Sequence, residues 1–336
     1  MQEMGMPRIL VATRGGAAIG SVLGESSLRF VAVPIALLLT LLAARGAEAH
    51  RNHSPPGQEE WGWWETWNLE PWLVALLFLS ACAYGWGLAA LWRSSGLGRG
   101  LPRWRPAMFY AGWLALVLAL LSPLDALGEQ LFSMHMLQHE LLMLVAAPLL
   151  VLGKPLAVFA WGLPLRERQA VGGPLRAPWW QRIWRTLTAP LTAWSLHAIV
   201  LWGWHAPALF QASLASDAIH NFQHATFLSS ALLFWWALVR RRPDGTAVLY
   251  VFTTLLHTGF LGALLTFSPS VLYPDYIEFA SRWDTTALAD QQLGGLIMWV
   301  PAGAILLLSG LLLLAQWLRA IERRSVAAVA GKLVRP

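Results

Sequence analysis

Long runs of apolar residues without a single Asp, Glu, Lys or Arg dominate the chain from residue 71 onward. A helix needs about 20 apolar residues to cross the hydrocarbon core of a bilayer. Periodicity alone does not separate helix from strand in such runs, but their length favours helices. Six runs of this kind are present: Pro71 to Trp92, Pro106 to Leu124, Thr186 to Ser216, Ala218 to Val239, Gly245 to Pro274 and Gln291 to Leu318.

A seventh run, Leu131 to Gly153, is apolar except for His135, His139 and Glu140. The pattern therefore predicts an all-α integral membrane protein. Its transmembrane domain is a seven-transmembrane-helix bundle over residues 71–318, followed by a basic tail over residues 319–336.

The amino-terminal segment has a different pattern. Several arginines precede a short apolar stretch, Phe30 to Ala44, which is followed by the small-residue sequence Ala47-Glu48-Ala49. This order is typical of a secretory signal peptide, which we predict for residues 1–49. An uncleaved extra N-terminal helix is the alternative. Either interpretation puts the acidic, Trp-rich segment 50–70 outside the cytoplasm.

Positive charge is distributed unevenly between the two sets of alternating loops. Apart from Arg282, every lysine and arginine that lies between the predicted spans or after them falls in the segments that follow the first, third, fifth and seventh spans in chain order. Acidic residues such as Asp125, Glu129 and Asp284 fall in the other set. Because basic loops remain in the cytoplasm, the pattern predicts a cytoplasmic carboxyl terminus.

Composition agrees with a membrane protein and narrows the function. Apolar residues make up 57% of the 336-residue chain and charged residues 12%, about half of the charged fraction in soluble domains. This excludes a disordered chain, a nucleic-acid-binding module and nearly all soluble enzymes. The net charge of +6 reflects the loop asymmetry and does not indicate a nucleic-acid partner. Cys82 is the single cysteine, so a disulfide framework and a thiolate metal cage are excluded.

Five of the nine histidines fall at the predicted external ends of three spans. They are His135 and His139 at the start of the third span, His205 at the end of the fourth, and His220 and His224 at the start of the fifth. Residues four apart share a helix face, so each pair can direct both rings at one ion. His257 lies about 15 Å deeper, near the middle of the sixth span, and is a further candidate ligand. His197 is interpreted as an interhelical hydrogen-bonding group.

Methionines accompany the first histidine pair. Met134 and Met136 flank His135, and Met143 continues the stripe four residues after His139. Imidazole suits Zn, Cu, Fe and Ni, whereas thioether sulfur selects Cu(I), so the cluster is compatible with a copper site. Polar residues at the same depth in the membrane are expected to orient the imidazoles by hydrogen-bonding to them. These residues are Glu140, Asp290 and Gln291.

Six motifs occur in an ordered series over about residues 70–318. They are Ser122-Pro123-Leu124-Asp125, His135-Met136-Leu137-Gln138-His139-Glu140-Leu141-Leu142, Ala147-Pro148-Leu149-Leu150, Trp204-His205-Ala206-Pro207, His220 and His224 before Phe227, and Asp290-Gln291-Gln292-Leu293-Gly294-Gly295. The series resembles the CtaG family of multi-span cytochrome c oxidase assembly factors, described for the caa-type oxidases. The resemblance implies seven helices, a bacterial plasma membrane and a role in building the copper-containing oxidase at the copper-supply step.

We therefore expect an assembly factor rather than an enzyme. In this interpretation an external copper carrier supplies the periplasmic cluster, and the protein passes the ion to cytochrome c oxidase subunits as a metallochaperone. Two alternatives stay open. One is a haem-binding membrane oxidoreductase, because two spans commonly supply axial histidines. The other is a copper transporter, because His197 and His257 continue the polar series inward.

Overall fold

A computed structural model describes residues 66–241 and 243–333, with side chains up to residue 325. The signal peptide or extra helix predicted for residues 1–49 lies outside the described residues, as does most of segment 50–70.

Every regular element among these residues is a helix. In chain order the α-helices are α1 (Pro71–Ser95), α2 (Trp104–Leu120), α3 (Pro123–Gly128), α4 (Phe132–Glu140), α5 (Ala147–Gly153), α6 (Pro155–Gly162), α7 (Leu165–Leu175), α8 (Pro178–Leu187), α9 (Pro190–Trp204), α10 (Pro207–Ala215), α11 (Asp217–Arg240), α12 (Gly245–Thr266), α13 (Ile277–Ala280) and α14 (Ala287–Leu333). A π-helical segment, Leu141–Ala146, joins α4 to α5, and two 3-10 turns, Pro274–Tyr276 and Ser281–Trp283, flank α13.

Within the described part of the chain, five helical stretches are long and apolar enough to cross a bilayer. They are Pro71–Ser95, Phe132–Gly153, Asp217–Arg240, Gly245–Thr266 and Ala287–Ser325. The α2 helix is apolar but has 17 residues. The class of helical membrane protein is thus confirmed, whereas the count of seven spans is not.

The sequence pattern predicts one helix for the apolar run from Thr186 to Ser216, but the structure divides this run among three helices. It contains the end of α8, the 15-residue α9 and the short α10. Pro190 and Pro207 occupy the first turns of α9 and α10. Proline suits the first turn of a helix and disfavours helical geometry in the residue before it, so each proline separates two helices. Hydropathy does not register these breaks.

Bundle packing depends on close helix contacts around α14. This helix packs along α12, where a Cβ added to Gly295 would lie 2.6 Å from the backbone nitrogen of Thr266. Small residues permit such approaches between membrane helices. The opposite surface of α14 exposes leucines, with Leu308 59% and Leu312 54% exposed. An apolar surface of this kind is suited to lipid contact.

The loop between α12 and α14 closes one end of the bundle. The Tyr273 hydroxyl donates to the carbonyl of His205 at 2.8 Å, and the Tyr276 hydroxyl donates to the carbonyl of Gly128 at 2.9 Å. Burial raises the pKa of both phenols, so each keeps the proton that it donates. The loop thereby joins α9 and α3 at the end where the candidate site lies.

Candidate metal centre

Three imidazoles from two helices form the centre of the site, which we call the histidine triad. It consists of His135 and His139 on α4 and His224 on α11, and one ligand atom from each lies within 4.8 Å of the others. The ring centroids are 4.3 Å apart for His135 and His139, and 5.3 Å apart for His139 and His224. All three side chains are buried. The helix spacing of four residues brings the α4 pair together, but only packing adds His224.

Most ring nitrogens of the triad are buried and make no hydrogen bond to any residue that the structure describes. Among the described residues, both nitrogens of His135, both of His139 and Nε2 of His224 make no hydrogen bond. A neutral imidazole has one N–H donor and one lone pair, and an unmet buried group costs about 1–3 kcal/mol. A bound metal ion would accept the lone pairs that the protein leaves unused. The residues present therefore fit a metal ion.

A second group shares His224 with the triad. Asp125, His220 and His224 each place a ligand atom within 4.8 Å of the others, and Nε2 of His220 lies 3.9 Å from Oδ1 of Asp125. The Asp125 carboxylate also accepts hydrogen bonds from Nε2 of Gln138 at 2.7 Å and from Nδ2 of Asn68 at 2.9 Å. Burial acts to raise the pKa of Asp125, but His220 and the other partners outweigh it and hold the pKa below its usual value.

Asp125 is a site residue that the sequence reasoning missed. The available signal was its place at the end of the Ser122-Pro123-Leu124-Asp125 motif, ten residues before His135. Its negative charge faces His220 and so supports a site that holds a cation.

His205 and Met136 face each other beside the triad. The carbonyl of Leu201 lies 2.7 Å from Nδ1 of His205 and can only accept, so Nδ1 carries the proton. The lone pair of Nε2 then points at Sδ of Met136, 3.4 Å away. An ion held there would have one imidazole and one thioether ligand, and the sulfur would favour Cu(I).

Three predicted ligands lie away from these groups. Met143 lines a separate cavity of about 20 Å³ together with Glu140, His197 and Met298. It falls within the π-helical segment, whose wider turn changes the four-residue register used in the prediction. The His257 ring packs against Trp194 at 5.3 Å, and Met134 is half-buried next to His135 on a different face of α4.

Two of the three polar residues expected to orient the imidazoles, Asp290 and Gln291, contact backbone groups instead. Asp290 accepts from the backbone N–H groups of Phe132 at 2.6 Å and Ser133 at 3.3 Å. Gln291 accepts from the backbone N–H of Leu272 at 2.7 Å, and its amide donates to the carbonyl of Ser270.

Asp290 and Gln291 therefore position α4 and the closing loop rather than imidazole rings. Oε2 of Glu140 is buried and without a hydrogen-bond partner in the described part of the chain. His197 behaves as the sequence predicts, with its Nδ1 3.2 Å from the Ser230 hydroxyl.

These features define a class: a helical membrane protein with a buried cluster of histidines at one end of its bundle. The family model for cytochrome c oxidase caa3 assembly factors, Caa3_CtaG, matches residues 82–320. The chain belongs to this family, as its motifs predict.

Curated relatives of the chain carry no assigned function. Uncharacterized proteins of Mycobacterium bovis and Mycobacterium tuberculosis are each 29% identical to it over 267 residues, and one of Mycobacterium leprae is 26% identical over 275 residues. The alignments cover 76–77% of this chain but 40% of each relative. The chain thus spans less than half the length of the relatives it matches. No solved structure matches it.

Proposed function

We propose that this protein binds copper in its histidine and methionine cluster and supports delivery of that copper to cytochrome c oxidase. The family supports the assembly role, and the copper step is our inference from the site. Copper is the cargo in this proposal, and the protein acts as a metallochaperone rather than as an enzyme.

The proposal rests mainly on the buried imidazole nitrogens of the triad, which have no hydrogen-bond partner within residues 66–241 and 243–325. The adjacent His205 and Met136 pair adds a thioether, which selects Cu(I) over harder ions. The rings of His139 and His205 are 6.4 Å apart, so an ion has a short path between the two groups. A delivery protein must release its cargo, and neighbouring sites with few ligands each favour exchange over a closed, four-ligand site.

We infer that the site faces the external side of a bacterial plasma membrane. Seven spans and a cytoplasmic carboxyl terminus agree with the loop charges, provided that the shorter α2 and α9 also cross. In this arrangement an external copper carrier reaches the triad directly, and oxidase subunits receive the ion within the membrane.

The haem alternative is less compatible with the packing around the triad. The Phe227 ring lies 4.4 Å from the ring of His139, and the Phe210 ring lies 5.0 Å from that of His135. A macrocycle between two axial histidines would have to displace these aromatic side chains. An absorption spectrum of the purified protein separates the two ideas, because a Soret band would support haem. Copper accumulation in vesicles would instead support the transporter alternative.

The decisive experiment combines a deletion strain with complementation by variants. Without this protein, the oxidase polypeptides should be inserted in the membrane but contain less copper and reduce oxygen more slowly. Wild type and His257→Ala should restore both properties, whereas His224→Ala should not. The purified His224→Ala protein should bind copper at least about 100-fold more weakly. Loss of a residue that only hydrogen-bonds to a metal ligand typically costs about 10–100-fold. Full copper content in the oxidase from the deletion strain would contradict the proposal.

A further inference from the structure

A second cavity lies at the opposite end of the bundle from the triad, where α8 meets the last turn of α11. It has a volume of about 390 Å³ and lies among residues of α8, the start of α9 and the end of α11. We call it the arginine cavity because Arg185, Arg240 and Arg241 line it. We propose that it binds the phosphate headgroup of an anionic phospholipid from the adjoining leaflet.

The arginine cavity is positively charged and therefore suits an anion. Three guanidinium groups line it, and no Asp or Glu is among its lining residues in the described part of the chain. Arg241 also donates to the Thr246 hydroxyl and interacts with the nearby Asp244 carboxylate, so the positive charge on that side is partly balanced. Like charges in one partly enclosed space repel each other, and the attraction of a bound phosphate for the guanidinium groups would offset that repulsion. Guanidinium groups also match phosphate oxygens geometrically through paired N–H donors.

Tryptophans give the cavity an interfacial character. Trp180, Trp184 and Trp236 line it, and the rings of Trp184 and Trp236 meet edge-on with centroids 6.0 Å apart. The Arg240 guanidinium lies over the Trp236 ring at 5.0 Å. Tryptophan favours the headgroup level of a membrane, because its ring contacts apolar chains while its N–H group faces polar surroundings.

Nε1 of Trp180 is buried and has no hydrogen-bond partner among the described residues. A buried N–H without an acceptor is costly, and a phosphate oxygen in the cavity would supply the acceptor. This observation is independent of the arginines.

The surroundings of the cavity suit acyl chains. The α8 helix is amphipathic, with Trp180, Ile183, Trp184 and Leu187 spaced along one face. The first turn of α9 adds Leu191, which is 75% exposed. A headgroup in the cavity would place its chains against these apolar surfaces. The volume falls within the range of small-molecule sites, so a phosphate with its glycerol can enter.

The test measures lipid retention by the purified full-length protein in neutral detergent, using phosphatidylglycerol and phosphatidylcholine with the same acyl chains. We expect preferential retention of phosphatidylglycerol. The Arg185→Gln/Arg240→Gln double variant should lose about 25-fold in affinity, or about fivefold for each arginine. The control Arg319→Gln/Arg323→Gln removes the same charge from α14 and should change the affinity by less than twofold.

Trp180→Phe provides a second test that keeps every charge. It removes only the indole N–H, and we expect a three- to tenfold loss of phosphatidylglycerol affinity with unchanged phosphatidylcholine retention. This variant carries the test if the double variant does not fold. Equal retention of the two lipids, or equal losses in the double variant and its control, would overturn the proposal. Full displacement of the lipid by millimolar inorganic phosphate would also overturn it, because the cavity would then be a site for the free ion.

Discussion

The carboxylate of Asp290 accepts a hydrogen bond of 2.6 Å from the backbone N–H of Phe132, which lies 158 residues earlier in the chain. A helix begins with N–H groups that lack intrahelical partners, and a carboxylate near them is favoured by the helix dipole. Asp290 on α14 therefore caps α4, two turns before the triad residue His139. The motif at residues 290–295 and the histidine motif thus form one structural unit.

Replacement of Asp290 by alanine should destabilise this end of the bundle. Two backbone N–H groups lose their acceptor, which costs about 1–3 kcal/mol. We expect a lower midpoint of thermal unfolding and weaker copper binding, measured on the protein in detergent. The control Asp275→Ala removes an exposed carboxylate from the closing loop and should leave both quantities unchanged. Equal effects of the two substitutions would show that the cap is unimportant.

Gly294 should tolerate no side chain, because α14 approaches α4 closely there. A Cβ at this position would lie 2.4 Å from the Phe132 ring and 3.2 Å from Cγ of Met136. Gly294→Ala should therefore cost about 1–3 kcal/mol through overpacking and should disturb the Met136 thioether. Gly303→Ala on the same helix meets its first neighbour at 3.8 Å and should be neutral or slightly stabilising. Thermal unfolding of the two variants checks this contrast.

Met136 should determine metal preference rather than overall metal binding. Met136→Leu keeps the volume of the side chain but removes the sulfur that faces Nε2 of His205. We expect about a tenfold or greater loss of Cu(I) affinity with little change for Zn(II), which the triad alone can hold. Competition titrations with a Cu(I) chelator and with a Zn(II) indicator measure the two affinities. Met108→Leu on α2 is the matched control, and an equal loss for both metals would contradict the assignment of the sulfur.

Membrane orientation can be tested with reporter fusions. Fusions after Arg105, Arg185 and Arg241 should report a cytoplasmic location, and fusions at Asp125 and Asp284 should report an external one. The physical reason is retention of basic loops on the cytoplasmic side. A cytoplasmic signal at Asp284 would place the triad on the wrong side for an external copper carrier.

The sequence by itself determined the class of the protein and the residue types of its candidate site. Apolar runs of 20 or more residues leave few alternatives to membrane helices, because backbone polar groups in lipid must be satisfied internally. A spacing of four residues places His135 beside His139, and His220 beside His224, on any α-helix. The ordered motifs were also sufficient to identify the family, since they are read along the chain without reference to packing.

Only the tertiary structure decided which of these residues meet. Nothing in the local pattern joins His224 to the α4 pair, leaves His257 against Trp194 or brings Asp125 to His220, because these contacts depend on how separate helices pack. The π-helical segment changed the register at Met143, and the prolines at the starts of α9 and α10 divided a run that hydropathy treats as continuous. Asp290 and Gln291 proved to hold backbone groups rather than imidazoles. Hydrophobicity fixes where a helix lies relative to the membrane, but the direction of each polar side chain within the bundle depends on short-range packing between helices that are distant in sequence.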